Sequence, residues 1–332
     1  MAANETVTPQ YPPRLHNDVY PFIYPSKFKG SLQGKVAIIT GAAGTIGQGL
    51  AESFAVAGAT LVLVYNRTKP SEALLDRCRT FGASAISTLQ CNVSQLENCE
   101  KLVQQVLDSQ GKVDILVNNA GANDLGPLHE QTPEKFIHDI AVNFHGPYYL
   151  MRLLLPTFRK QRSGCILNIA SRAGTVDIPY STSYCASKAA LINLTGCVQK
   201  EVDIDGFDDI HLYSLHPGGV KSEMTLNKYS EQSLQKLPPS VAAGMTRWLD
   251  MYNDSPHLNG MVCVALAAGV AKEALKGKYF DVGQDLEDVV NQAAAIRADP
   301  ELYSLHTNFL GGLSNGNPVD RPSDEPFDFP GF

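Results

Sequence analysis

The seven cysteines of this sequence (Cys78, Cys91, Cys99, Cys165, Cys185, Cys197 and Cys263) form no CxxC pair, and their number is odd. A chain of 332 residues does not need disulfide staples, so reduced thiols in a cytosol-like compartment are expected. Long apolar runs are absent too. The longest, Met261 to Ala268, is too short to span a bilayer, and Met1 to Gln10 has neither the basic nor the apolar region of a secretory leader. The expectation is a soluble, cytoplasmic protein without a membrane partner. Positive charge is scarce: 27 basic against 34 acidic residues give a formal net charge of -7, no field for a phosphate backbone, and no nucleic-acid partner. The densest charge run, Glu201 through Asp209 with five carboxylates, reads as a solvated helix end and loop, so no metal is expected.

What is present is enough apolar material for a large core, 44% of residues, and a regular alternation of elements. Val36-Ala37-Ile38-Ile39, bounded by Gly34 and Gly41, has the unbroken apolar character of a strand buried on both faces. Further strands are expected at Leu61 to Tyr65, Ala85 to Cys91, Val113 to Val117, Cys165 to Ile169, His211 to Leu215 and Lys278 to Asp281. Helices are expected between them: Ile46 to Ala57, Ser71 to Thr80, one opened by a Ser94–Glu97 capping box, one opened by Thr132-Pro133, Phe144 to Arg159, and Tyr184 to about Asp205. The fold class is therefore α/β, a Rossmann-type doubly wound parallel sheet of about seven strands with helices on both faces. Residues 1–33 read as an arm on its surface, 34–283 as the domain, and 284–332 as an extension that begins with a helix from Asp285 to Ala298. Within the domain, 221–259 breaks the rhythm with Met224, Leu226, Tyr229, Leu237, Met245, Trp248, Met251 and Tyr252; it reads as a substrate lid or as an ordinary packed insertion.

The first strand-to-helix turn, Thr40 to Gly47, carries Gly41, Gly44 and Gly47 around Thr45 and Ile46. Glycines there allow a tight turn, close approach of a pyrophosphate, and a helix N-terminus aimed at negative charge. At the end of the second strand stand Tyr65-Asn66-Arg67, with a cation and no carboxylate to accept from a ribose 2′-hydroxyl. That favours NADP(H) over NAD(H). Tyr184 and Lys188 are four apart on one helix face, an arrangement expected to lower the phenol pKa and make Tyr184 an acid or base. Ser171 follows the strand Cys165 to Ile169, where a ligand would meet its hydroxyl, unless it only caps its own turn.

Together with Asn118-Asn119-Ala120-Gly121, Asn143 and Pro217-Gly218-Gly219-Val220-Lys221-Ser222, these motifs resemble, in order, the short-chain dehydrogenase/reductase superfamily in its smaller single-domain branch, over about residues 34 to 283. The added ends are similar to those of fungal members. The resemblance implies Tyr184 as general acid/base, Ser171 on the substrate oxygen, Lys188 on the nicotinamide ribose, and Asn143 holding a water in a proton relay. It also implies Asn118 supporting the central strand, Asn119, Ala120 and Gly121 along the cofactor, Asn92 and Val93 beside the adenine, and Pro217, Gly218, Val220 and Ser222 near the carboxamide. Its usual partners are a small-molecule substrate, here apolar or aromatic, and a second copy of the chain, so a homodimer or homotetramer is expected. Three positions depart from the pattern. The glycine spacing 41, 44, 47 is that of the extended, epimerase-like branch; Asn92 replaces an Asp; Ser222 replaces a Thr. The alternatives are an epimerase or dehydratase with tightly held NAD, and a dinucleotide-binding sensor without catalysis.

Overall fold

All five residues of Val36–Thr40 (β1) are buried, so the strand needs parallel neighbours for its backbone and helices against both faces. Both are present in the computed structural model, which describes residues 8–228, 234–235 and 237–307. The strands β2 (Thr60–Tyr65), β3 (Ala85–Gln90), β4 (Ile115–Asn118), β5 (Gly164–Ile169), β6 (Ile210–His216) and β7 (Tyr279–Asp281) join β1 in one seven-stranded sheet. Its order is β3-β2-β1-β4-β5-β6-β7 and every pair is parallel. This is the Rossmann-type sheet the alternation implied. The order reverses between β1 and β4, which opens a crevice at the strands' C-terminal ends.

The strand period of two sends neighbouring residues to opposite layers. Ile39 joins Leu50 and Phe54 of α1 (Thr45–Val56) in one core, whereas Ile38 joins Leu154 and Phe158 of α5 (Gly146–Gln161) in the other. Other helices along the sheet include α2 (Glu72–Phe81), α3 (Leu96–Gln110), α4 (Pro133–Ile140) and α6 (Thr182–Ile204). Ser71 and Thr132 cap α2 and α4 through their side chains. The Ser94–Glu97 box does not form: Ser94 gives both its N–H and its hydroxyl to Asn92 Oδ1, and α3 starts beyond it with no side-chain cap.

Three other expectations are corrected. The arm is not confined to the surface, since Tyr20, Ile23, Phe28 and Leu32 are buried in the first core. Tyr20 Oη also accepts from Leu286 N at 2.7 Å, and Arg14 makes two side-chain bonds of 2.8 Å to Asp288. Truncating such a side chain leaves a cavity and an unsatisfied amide, so Tyr20→Ala should cost about 3–5 kcal/mol. An unchanged urea midpoint would contradict this. The helix from Asp285 to Ala298 is broken at Gln292 into α10 (Leu286–Asn291) and α11 (Ala293–Ala298), where the Gln292 amide turns to the arm and bonds Gln10 N and Tyr11 O. Finally, 221–259 holds α7 (Glu223–Lys228) and α8 (Pro239–Asp250), but its last residues open α9 (Pro256–Ala267), a core helix. A Cβ at Gly260 would stand 2.2 Å from Ser53 Oγ of α1, so closely do the two helices pack. Tyr229 and residues 308–332 lie outside the described residues.

Candidate active site

The turn after β1 is built for close approach. Gly41 takes φ +64° beneath Ala120, and a Cβ at Gly47 would stand 2.2 Å from Gly41 O. Gly44 is the N-cap of α1 and offers its first turn no side chain, so the N–H groups of that turn, Thr45 and Ile46 among them, have no side-chain cap. Asn119 locks this turn to the end of β4: its Nδ2 donates to Thr40 O (2.9 Å) and Gly41 O (3.2 Å), while Thr40 Oγ1 accepts from Asn119 N and Ala120 N. Asn118 points the other way, donating to Asn168 of β5, which in turn donates to Thr195 of α6. Above the turn lies a cavity of ≈ 380 Å³. Its walls bring together Gly41, Gly44, Asn66, Arg67, Asn92, Val93, Ala120 and Gly121. The open glycine cradle, the free helix N-terminus and the cation after β2 fit a dinucleotide phosphate chain.

At the next switch-side strand ends, Ser171 follows β5 and Tyr184 and Lys188 lie one turn apart on α6. Ser171 accepts from Ala173 N (3.1 Å) and shares a hydrogen bond with the Tyr184 phenol. Lys188 Nζ lies 5.6 Å from the centre of the Tyr184 ring and donates to Ile169 O at 2.7 Å. The expected lowering of the phenol is not seen: burial pushes Tyr184 up to about 12, and the Ser171 bond only partly opposes it. Lys188 spends its proton on a carbonyl, and burial pushes it down to about 8.

Asn143 sits in a π-turn, Ala141–His145, between α4 and α5. Its amide is already engaged, with Nδ2 donating to Ala122 O and Ser187 Oγ and Oδ1 accepting from Ala122 N. These bonds tie the π-turn to Ala122 and to α6 one residue before Lys188. Pro217 and Gly218 (φ +87°) turn the chain after β6, and Val220 is buried. Ser222 is turned to a local task, exchanging hydrogen bonds with Thr225 at the start of α7.

A family model described as short chain dehydrogenase matches residues 35–233, well over half of the chain. The chain belongs to the short-chain dehydrogenase family. It is thus an oxidoreductase of a family that binds NAD(P). It is 32% identical over 287 residues to a short chain dehydrogenase of Pseudocercospora fijiensis, covering 83% of this chain and 89% of that one. It is 33% identical over 210 residues to 11-beta-hydroxysteroid dehydrogenase 1A of Arabidopsis thaliana, covering 62% of this chain but only 58% of the plant protein. Among solved structures it is similar to a putative short-chain dehydrogenase/reductase from Burkholderia xenovorans (TM-score 0.67, 25% identity, 76% of this chain and 97% of that one). It is also similar to a putative NAD(P)-dependent gluconate 5-dehydrogenase from Beutenbergia cavernae with bound NADP (TM-score 0.65, 25% identity, 76% and 97% covered).

This short-chain dehydrogenase also uses residues that the sequence motifs did not single out. Asp139 of α4 is buried and accepts from Ser183 Oγ (2.7 Å) and Asp124 N (2.9 Å), fixing the start of α6 just before Tyr184. Tyr180 holds a left-handed φ of +65° beside the site, its carbonyl accepting from Gly126 N. His138 and Glu223 add polar groups to the cavity wall. Only Tyr180 had a usable signal, its position inside the Ser171–Tyr184 loop. Among the described residues no helix is long and apolar enough to cross a membrane, and no group of His, Cys, Asp or Glu is placed to hold a metal.

Proposed function

We propose that this chain is an NADP(H)-dependent oxidoreductase that interconverts a ketone or aldehyde and its alcohol, with Tyr184 as the proton donor and acceptor. The observation that carries the proposal is the meeting of Ser171, just past the C-terminal end of β5, with Tyr184 and Lys188 on the first turns of α6. Ser171 would hold and polarise the substrate oxygen. Tyr184, a neutral phenol at physiological pH, would give it a proton on reduction, and Lys188 would hold the cofactor's ribose below. When bound, the cofactor supplies the hydride. The amides of Thr45 and Ile46 and the Gly41 and Gly44 backbone would carry its pyrophosphate, Asn66 and Arg67 its 2′-phosphate, and Asn92 and Val93 its adenine. Asn143 acts as a strut between Ala122 and α6. A lid of α7 and α8 would close over the substrate; Leu237 and, on α8, Met245 pack with Leu125 and with Tyr180, four residues before Tyr184, an apolar surround that supports an apolar or aromatic substrate. The hydroxysteroid dehydrogenases among its relatives support the same choice.

The test is a fluorescence titration with NADPH and NADH, followed by a ketone panel monitored for loss of reduced cofactor. NAD that co-purifies without net reduction would select the epimerase reading instead. Arg67→Asp should invert the cofactor preference by placing a carboxylate where the 2′-phosphate would lie, about a hundredfold in the ratio of kcat/KM values; an unchanged ratio would remove Arg67 from that role. The pH profile follows from Lys188. Its ammonium is charged below about 8, so kcat/KM for reduction should hold at neutral pH and fall by about tenfold per pH unit above that value. A profile flat to pH 10 would place Lys188 outside the reaction. The broad apolar character of α5 and α6 supports a homodimer or homotetramer in the cytosol. A single 36.0 kDa species in sedimentation would exclude the oligomer.

A further inference from the structure

β6 runs into Pro217-Gly218-Gly219, and 35 residues later the chain returns to this corner at Asp254. Gly219 N donates to Asp254 Oδ2 at 2.5 Å, and Asp254 N donates back to Gly219 O at 3.2 Å. The corner is tight from both sides. A Cβ at Gly218 would stand 2.8 Å from the same Oδ2, and one at Gly219 would stand 3.1 Å from Cδ1 of Tyr252. Neither flanking helix needs this carboxylate: α8 ends at Asp250, and α9 is capped by Ser255, whose Oγ accepts from His257 N. Ser255 N in turn donates to Asn17 O of the arm at 2.8 Å, which holds the return segment from behind. A carboxylate on a backbone N–H is a charge-assisted bond, stronger than an ordinary backbone pair. Asp254 therefore joins the end of the lid to the loop after β6, in a place braced by the arm.

We propose that Asp254 is a positioning residue for the loop Pro217 to Ser222. It fixes how that loop stands over the Ser171–Tyr184 end of the sheet, and so how firmly the nicotinamide half of the dinucleotide is held. The inference rests on the oxidoreductase reading above and on the family resemblance, which implies Pro217, Gly218, Val220 and Ser222 beside the carboxamide. The adenine half would lie at Asn66 and Asn92, in a cavity that Asp254 does not line.

The test compares two ligands in direct binding: NADPH, and 2′-phospho-ADP-ribose, which lacks the nicotinamide. Asp254→Ala should raise the Kd for NADPH about tenfold, equivalent to ~1.4 kcal/mol, and change that for 2′-phospho-ADP-ribose by less than about twofold. Asp254→Asn, which keeps an acceptor oxygen, should recover most of the NADPH affinity. Gly218→Ala pushes a Cβ against the same carboxylate and should show the same selective loss. It provides a second reading in case Asp254→Ala lacks a cooperative thermal transition. Equal losses for both ligands, or unchanged NADPH binding in the folded variants, overturn the proposal. A wild-type chain that binds neither ligand sinks the cofactor reading itself, and this inference with it.

Discussion

Tyr184→Phe should lower kcat for ketone reduction by a factor on the order of 10³, with the Kd for NADPH changed by less than about threefold. The substitution removes one hydroxyl and leaves the ring, so the packing beside Lys188 is kept. What is lost is the phenol bonded to Ser171, and with it the proton that the substrate oxygen must receive. Because burial holds that phenol near 12, the wild-type group is a proton donor across the physiological range, and the loss should be uniform from pH 6 to 8. Single-turnover absorbance with saturating NADPH separates this from a binding defect. Turnover within tenfold of the wild type would mean that the proton comes from elsewhere, and the mechanism would fall.

The second large effect concerns the glycine cradle, where two substitutions of the same size should part ways. At Gly44 an added Cβ would meet nothing closer than Gly41 O at 3.5 Å, an ordinary contact, and the residue's φ of -73° suits alanine. Gly44→Ala should therefore fold, losing only the cap preference of about 1 kcal/mol, yet its methyl would stand where the pyrophosphate must reach the helix N-terminus. A rise of about a hundredfold in the NADPH Kd is expected. At Gly47 the Cβ would instead collide with Gly41 O at 2.2 Å and Ala42 Cα at 2.8 Å, both main-chain atoms that cannot swing away. Gly47→Ala should lose several kcal/mol of stability, about 3 or more, before any ligand is added. Thermal unfolding and cofactor titration of the pair decide it; a Gly44→Ala chain that binds NADPH normally would show that the phosphates lie elsewhere.

The centre of the sheet was legible because β1, β2 and β4 are buried and leave apolar runs, and because Ser71 and Thr132 cap helices within a few residues of themselves. Features that depend on distant partners were not. Ser94 sits in a proper capping pattern, but Asn92 takes its hydroxyl first. Nothing local in Asp285 to Ala298 announces a break at Gln292, whose side chain answers to the arm. The candidate site divides the same way. Ser171, Tyr184 and Lys188 are marked by spacing along one strand end and one helix face, but the spacing is silent on how deeply the phenol and the ammonium are buried, and burial is what pushes Tyr184 up and Lys188 down. Asp254 could not be connected to Gly219 at all, since the two lie 35 positions apart with α7 and α8 between them.

The pairing of the arm with the extension has a mechanical meaning. Gln10 lies with Gln292, Arg14 with Asp288, and Leu15 bridges Gln284 in antiparallel sense. Both outer ends of this pair leave at the same side, so tension applied between residues 8 and 292 would load its bonds one after another, Gln292 first and Gln284 last. Such a zipper yields at low force and without cooperation from the sheet, whose parallel ladder would feel the load only after the clasp had parted. In an optical trap the chain should open in two steps, a short weak one that frees the two ends and a long strong one that unravels the domain.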